Sequence, residues 1–132
     1  MPELGACGDH CTYCPRFIAT QNQDPQMLQE VADLWVRIGL RDKSVTSQEL
    51  KCFGCTPENN CAYSEQRDCA FAKGFENCGL CRDYPCRIVA ATIERTDQLS
   101  SSIRSLCSPK EWSQLEKAFF LKKQNLDAVK KP

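Results

Sequence analysis

Residues 52–86 read CFGCTPENNCAYSEQRDCAFAKGFENCGLCRDYPC, and this segment holds most of the chain's 11 cysteines. Two CxxC pairs lie within it, Cys52–Cys55 and Cys78–Cys81, and each is followed by another cysteine. Cys11–Cys14 forms a third pair near the N-terminus, with Cys7 just before it. A CxxC turn brings two thiolates to one metal ion, and glycine in or beside the turn relieves crowding. The pattern predicts that these thiols bind metal.

The length and charge of the chain limit its fold and its partners. A chain of 132 residues, 42% of them apolar, fits one domain with a modest core. The 17 basic and 17 acidic side chains cancel, and metal-bound thiolates would add negative charge. Neither nucleic acid nor a membrane is therefore indicated as a partner, and a protein partner stays open.

The cysteine content also has a disulfide interpretation, since small secreted domains reach a similar density. Three features argue against it. The first residues, MPELGACGDH, lack a basic region followed by an apolar run, the cysteine count is odd, and CxxC pairs chelate better than they cross-link. No apolar run approaches the length of a membrane span. We therefore expect a cytoplasmic protein with reduced, metal-binding cysteines.

The rest of the chain predicts helices. Asp24-Pro25 is an N-cap followed by proline at the first helical position, and Gly39 marks the end of that helix. Ser108-Pro109-Lys110-Glu111 is a capping box that starts a later helix. A short helix over Glu65–Lys73, ended by Gly74, is expected in the centre. No alternation typical of strands persists.

These signals predict a mostly α fold: a small, irregular helical domain whose cysteine-rich middle is stabilised by metal. We expect one domain, 1–132, with four parts: an irregular N-terminal cysteine knuckle (1–23), a helix (24–39), a cysteine-rich centre (52–86) and C-terminal helices (87–123). Within the last part, a helix over Arg87–Arg95 is followed by a poorer one across the serines at 100–102. The polar tail, KKQNLDAVKKP, is expected to fray.

The candidate metal ligands are ten of the cysteines. Cys107 is set apart because it lies in an apolar stripe and behaves there as a small hydrophobic residue. By sequence proximity, the four from Cys52 to Cys69 form one site, and the three from Cys78 to Cys86 take a fourth ligand from the N-terminal trio. The full set is Cys7, Cys11, Cys14, Cys52, Cys55, Cys61, Cys69, Cys78, Cys81 and Cys86.

Zinc is the expected cofactor, and an iron–sulfur cluster is the alternative because it uses the same residue type. The spacing Cys7-x3-Cys11-x2-Cys14 is that of radical S-adenosylmethionine enzymes, but the alternating strands and helices of that barrel are missing. His10 is the only histidine, so no hydrolytic zinc site is recognisable. A catalytic thiol near Arg82 or Arg87 stays open. The sequence favours a non-enzymatic role without excluding an enzymatic one.

The motifs also resemble a known family. The segments CGDHCTYCPRFIAT, CFGC and RDCAFAKGFENCGLCRDYPCRIV are similar to those of the cysteine-rich bacterial and archaeal family called domain of unknown function 3795, and SIRSLCSPKEWSQLEKAF resembles its closing segment. Ser64 stands where that family leads us to expect a further cysteine. The resemblance implies a metal site and names no reaction.

Three functions therefore remain from the sequence. The first is a zinc-binding protein whose metal is structural and supports contact with a partner. The second is an iron–sulfur or thiol-redox protein that carries electrons or senses redox state. The third is a protein that buffers or transfers zinc or another soft metal.

Overall fold

Asp24 begins the longest helix of the N-terminal half, as its sequence predicts. Its carboxylate accepts a hydrogen bond of 3.0 Å from the Met27 N–H, and Pro25 takes the first helical position. The computed structural model describes residues 4–58, 61 and 63–130. Their helices are α1 (Pro15–Gln21), α2 (Pro25–Arg37), α3 (Ser64–Ala72), α4 (Arg87–Ser105), α5 (Pro109–Phe119) and α6 (Lys122–Val129).

The described residues confirm the mostly α fold. Their β-structure is limited to one isolated bridge between Leu4 and His10. Short 3-10 turns cover Cys11–Tyr13, Ser47–Leu50 and Cys78–Leu80. No described helix combines the length and the apolar character that crossing a membrane requires.

The larger core lies between α1, α2, α4 and α5. Trp35 of α2 is 3% exposed, and its ring packs edge-on against the ring of Phe119, with 6.0 Å between the ring centres. Ile103 of α4 and Leu115 of α5 complete this core from the other side. Cys107 packs against the same cluster, as expected for a small hydrophobic residue.

A second, smaller core joins the N-terminal loop to the cysteine-rich centre and α6. It contains Ala6, Ala70, Cys78, Val89 and Leu126. The expected irregular course of residues 1–23 is wrong in part, because Pro15 begins α1. Proline is favourable there, since the first helical N–H has no intrahelical acceptor.

Two further expectations about the C-terminal half are wrong. The helix starting at Arg87 runs unbroken through the serines to Ser105, because Thr96 and Ile103 are buried on either side of them. The polar tail does not fray over its first eight residues, which form α6. Leu126 is 0% exposed, so α6 is held by packing. Pro132, at the end of that tail, lies outside the described residues.

Candidate functional site

Two of the three CxxC pairs adopt the same local structure. In each, a 3-10 turn closes with a hydrogen bond from the second cysteine's N–H to the first cysteine's carbonyl. That bond is 3.0 Å for Cys14 to Cys11 and 3.1 Å for Cys81 to Cys78. The third pair, around Gly54, turns differently, with the glycine at φ +103°.

Six thiols from two distant segments line one largely apolar cavity. Cys7, Cys11 and Cys14 come from the N-terminal loop, and the others come from the start of the cysteine-rich centre. We call this set the N-terminal thiol group: Cys7, Cys11, Cys14, Cys52, Cys55 and Cys61.

Backbone groups of the N-terminal loop support this group. The Ala6 N–H donates a 3.3 Å hydrogen bond to Cys55 Sγ, an interaction that stabilises negative sulfur. A methyl group at Gly5 would lie 3.5 Å from Cys11 Sγ and 3.8 Å from Cys55 Cβ. The glycine thus leaves room between two thiols that come from different segments.

A buried ion pair lies beside Cys7. Lys122 Nζ is 2.7 Å from Asp9 Oδ1 and also donates to the Phe119 carbonyl at 2.7 Å. It lies 4.5 Å from the centre of the Tyr63 ring. Burial alone lowers the pKa of Lys122, but the charges of Asp9, Tyr63 and Cys7 and the hydrogen bond to Asp9 together outweigh it, so the pKa is raised. A buried, charged ammonium therefore borders the thiol group.

Arg67 contacts this group through its guanidinium. Its side chain is 6% exposed, its Nε is 3.0 Å from Asp68 Oδ1, and its Nη1 approaches Cys61 Sγ at 3.8 Å. The guanidinium of Arg16 instead donates to the carbonyl of Leu50 at 2.9 Å. Arg82 and Arg87, beside which a catalytic thiol was considered, are exposed.

The other four candidate thiols lie around the turn at Cys78 and the start of α4. Burial raises the pKa of Cys78 to about 11, the Gln66 side chain lowers it, and the charges of three neighbouring thiols raise it further. These neighbours complete what we call the C-terminal thiol group: Cys69, Cys78, Cys81 and Cys86.

Two buried amides flank Cys78 in this second group. Cys78 Sγ lies 3.9 Å from the carbonyl of Gln66, and Asn77 precedes it in the chain. Gln66 is 2% exposed and Asn77 is 6% exposed, yet among the described residues neither the side-chain amide of Gln66 nor the Asn77 side-chain oxygen has a hydrogen-bond partner. Buried polar groups without partners cost free energy, so this corner suits an additional polar or charged group.

The pKa shifts of the N-terminal thiols share one main cause. Burial raises the pKa of Cys11 and of Cys14 to about 12, and it raises the pKa of Cys7 well above its ordinary value. The charge of Asp9 adds to the increase at Cys7 and Cys11. These three thiols stay protonated near neutral pH unless a cation replaces their protons. That behaviour suits metal ligands better than a nucleophilic thiolate.

The donor set fits zinc in number and type. One group has the four thiols that a structural zinc site takes, and the other has six. The cysteines are present as thiols rather than disulfides. Among the residues that the structure describes, however, no three His, Cys, Asp or Glu side chains are positioned to hold one ion. Metal binding therefore requires the sulfurs to draw closer.

The ten predicted ligands thus all lie in the two groups, but not in the grouping expected from sequence. Cys69 lies with Cys78 rather than with Cys52, because α3 carries it to the turn at Cys78–Leu80. The N-terminal trio instead joins Cys52 and Cys55. Whether each thiol binds metal stays a prediction.

Four residues near the thiols were missed by the sequence analysis. They are Asp9 and Lys122 beside the first group, Arg67 at Cys61, and Gln66 at Cys78. Asp9 lies between Cys7 and Cys11 in the CGDHC segment, and this position could have indicated that it lies near the thiols. No sequence pattern around Lys122 indicated its role, because its partner, Asp9, is more than a hundred residues away in the chain. His10 stacks near Tyr13, with ring centres 4.7 Å apart.

The cavity behind the N-terminal thiol group has a volume of about 170 Å³. Its lining also includes residues of α1, α2, α4 and α5, most of them aliphatic or aromatic. The apolar lining residues include Trp35, Ile38, Leu99, Ile103, Leu115 and Phe119.

Comparison with known proteins gives one match. Residues 3–91 fit the sequence profile of a family described as a protein of unknown function, DUF3795. The matched region contains all ten candidate ligands and stops before α5 and α6. No curated protein and no solved structure matches the chain.

Proposed function

Since this chain belongs to the DUF3795 family of proteins of unknown function, we propose its function from the thiol groups themselves. It binds zinc at both groups, the metal is structural, and the stabilised centre contacts a protein partner. One observation carries this proposal: thiols from segments about forty residues apart line the same cavity. Such convergence has a direct use in a shared metal site.

The local structure of the centre explains why metal is needed. Between Cys52 and Cys86, the described residues outside α3 form only turns and irregular chain. Little of this segment can be stabilised by helical hydrogen bonds. A structural zinc ion contributes on the order of 10 kcal/mol to folding, which offsets the entropy of ordering such a segment.

Two exposed aromatic residues support the idea of a partner. Tyr13 is 41% exposed and Phe53 is 60% exposed, and each sits inside a CxxC turn. Aromatic residues are enriched at protein interfaces. A metal-fixed turn would present these rings rigidly, which lowers the entropy cost of association. The cysteines' state as thiols is compatible with the cytoplasm, where we propose the protein acts.

A second function, exchange of zinc or another soft metal, is favoured by the size of the N-terminal group. Its six thiols exceed by two the number that one tetrahedral zinc site uses. Surplus thiolates permit an incoming acceptor to displace ligands one at a time. A carrier of this kind keeps its fold when the metal leaves, whereas a structural site does not.

The test is metal analysis of tag-free protein purified without oxygen, with visible absorption and circular dichroism. We expect colourless protein with about two zinc ions per chain, whose helical signal falls as a chelator removes the metal. Retention of the full helical signal after zinc removal would favour exchange. Brown protein containing iron and sulfide would overturn the zinc proposal and point to an iron–sulfur protein.

A further inference from the structure

We propose that the N-terminal thiol group and the apolar cavity behind it form one binding site for a trivalent organoarsenical carrying a small apolar group. The arsenic is held by two thiols, and its organic group occupies the cavity. The number of thiols left for arsenic rests on the proposed zinc function, whereas the use of the cavity goes beyond it, since the cavity has no role in holding a structural ion.

The size of the cavity suits a single ring. An engineered protein cavity of about 150 Å³ lined by Leu, Ile and Phe stays dry and binds benzene. The cavity here, at about 170 Å³, has residues of these types in its lining, including Ile103, Leu115 and Phe119, beside the thiols and the charged side chains of Asp9, Arg16 and Arg41. A phenyl group therefore fits its volume.

Several polar groups at the cavity are already bonded within the protein. Arg16 donates to the Leu50 carbonyl, and Asp9 forms an ion pair with Lys122, while its Oδ1 makes no hydrogen bond of standard geometry to the described residues. Thr96 Oγ1 donates to the Thr92 carbonyl at 2.9 Å and lies 3.3 Å from the Tyr63 hydroxyl. Together with the aliphatic and aromatic lining, these contacts favour an apolar group in the cavity.

The thiols determine which kind of atom the ligand must present at the end that lies outside the apolar part of the cavity. Thiolate sulfur is a soft donor and prefers soft centres. One zinc ion takes four of the six thiols, which leaves a pair. Trivalent arsenic bearing one organic group forms two bonds to sulfur, so it matches that pair.

The binding step balances without an oxidant or reductant. Phenylarsonous acid, C6H5As(OH)2, exchanges both hydroxyl groups for thiolate sulfurs. Two As–O bonds break and two As–S bonds form, while each thiol proton leaves with a hydroxyl group as water. Arsenic stays trivalent and keeps its bond to the phenyl carbon.

Leu99 and Leu106 provide a matched pair of variants. Leu99 lies within α4 and Leu106 directly follows its last residue, and the two are similarly exposed, at 45% and 44%. Leu99 lines the cavity and is partly open to solvent, whereas Leu106 is not among the lining residues. A tryptophan at position 99 should block the cavity, and one at position 106 should leave it open. Neither change removes a thiol.

The experiment titrates zinc-containing protein with phenylarsonous acid and with methylarsonous acid, which offers the same two As–S bonds without the ring. Dithiothreitol, a small dithiol without a cavity, serves as the reference: its relative affinity for the two acids shows how far two thiols alone prefer one over the other. We expect the wild-type protein to favour the phenyl compound by at least about tenfold more than dithiothreitol does, because the ring is removed from water. Leu99→Trp should abolish that excess, and Leu106→Trp should keep it.

Two results would overturn the inference. One is a wild-type preference equal to that of dithiothreitol, and the other is an excess preference that survives Leu99→Trp unchanged. Zinc content, measured in the same samples, separates this inference from the zinc proposal. Two zinc ions without any phenyl preference contradict only the arsenical site, and a phenyl preference without zinc contradicts only the metal proposal.

Discussion

Lys122 Nζ lies 2.7 Å from Asp9 Oδ1, and both side chains are largely buried, at 2% and 15% exposure. This ion pair joins α6 to the loop that carries Cys7. The same loop is held by Asn125, whose Nδ2 donates to the Gly8 carbonyl at 2.9 Å. A side chain at Gly8 would lie 2.8 Å from the Lys122 carbonyl, so glycine permits this close packing. The last helix thus fixes the first cysteine.

Lys122→Met tests the ion pair. Removing one partner leaves the other charge buried and uncompensated, so we expect the free energy of unfolding to fall by about 3–5 kcal/mol in urea titrations. Lys123→Met, which alters an exposed lysine on the same helix, should leave the unfolding midpoint near that of wild type. If Lys122→Met unfolds at the wild-type urea concentration, the pair is not a structural link.

Leu126→Ala tests whether α6 is part of the core. Leu126 is fully buried against Ala6 and Val89, so truncating it should leave a cavity and lower the free energy of unfolding by about 2–5 kcal/mol. Leu106→Ala is the control, because that leucine is 44% exposed. Equal effects of the two changes would show that the end of the chain frays, as its sequence suggested.

The sequence predicted the helices whose signals are local. Asp24 caps α2, and Ser108 and Glu111 form the capping box of α5 that the sequence indicated. Each of these signals acts within four residues, so no knowledge of the fold is needed to find it. The prediction of α3, ended by Gly74 at φ +83°, succeeded for the same reason.

The parts that sequence did not predict depend on distant contacts. The tail KKQNLDAVKKP looks polar, yet Lys122 finds Asp9 and Leu126 finds the second core. The thiol grouping was also missed, because proximity in sequence was used where α3 changes the path of the chain. The exposed serines at 101 and 102 lower the stability of a helix only slightly, and the burial of neighbouring residues on α4 more than offsets that loss.

Glu111→Gln should change how stability depends on pH. Arg37 donates to Glu111 Oε2 at 2.6 Å, and the Arg37 bond, followed by the Ser108 N–H, lowers the pKa of Glu111 to about 2. An unperturbed glutamate titrates near pH ~4.3. The stabilisation from ionised Glu111 is therefore present above pH ~4.3 and is lost as the pH falls towards about 2.

The measurement is urea unfolding of both proteins at pH 6 and at pH 2.5. We expect Glu111→Gln to be less stable than wild type at pH 6 and closer to it at pH 2.5. Glu116→Gln, on the exposed side of the same helix, is the control and should not produce this convergence. A gap between wild type and Glu111→Gln that is equal at the two pH values would contradict the role of the ion pair.

The division of the thiols predicts which cysteines share an ion. Cys69 and Cys78 belong to one group, so Cys69→Ser and Cys78→Ser should each remove about one zinc ion per chain, and the double variant should remove no more. The other group has two thiols to spare, so its ion should be lost only when three of the six are replaced, as in the triple variant Cys11→Ser, Cys52→Ser, Cys55→Ser. Adding Cys69→Ser to this triple variant should remove both ions.

Cys107→Ser is the control, because that thiol packs against the larger core and should not affect zinc content. Elemental analysis of protein purified without oxygen measures each case. If the triple variant and Cys69→Ser instead remove the same single ion, the division into an N-terminal and a C-terminal thiol group is wrong.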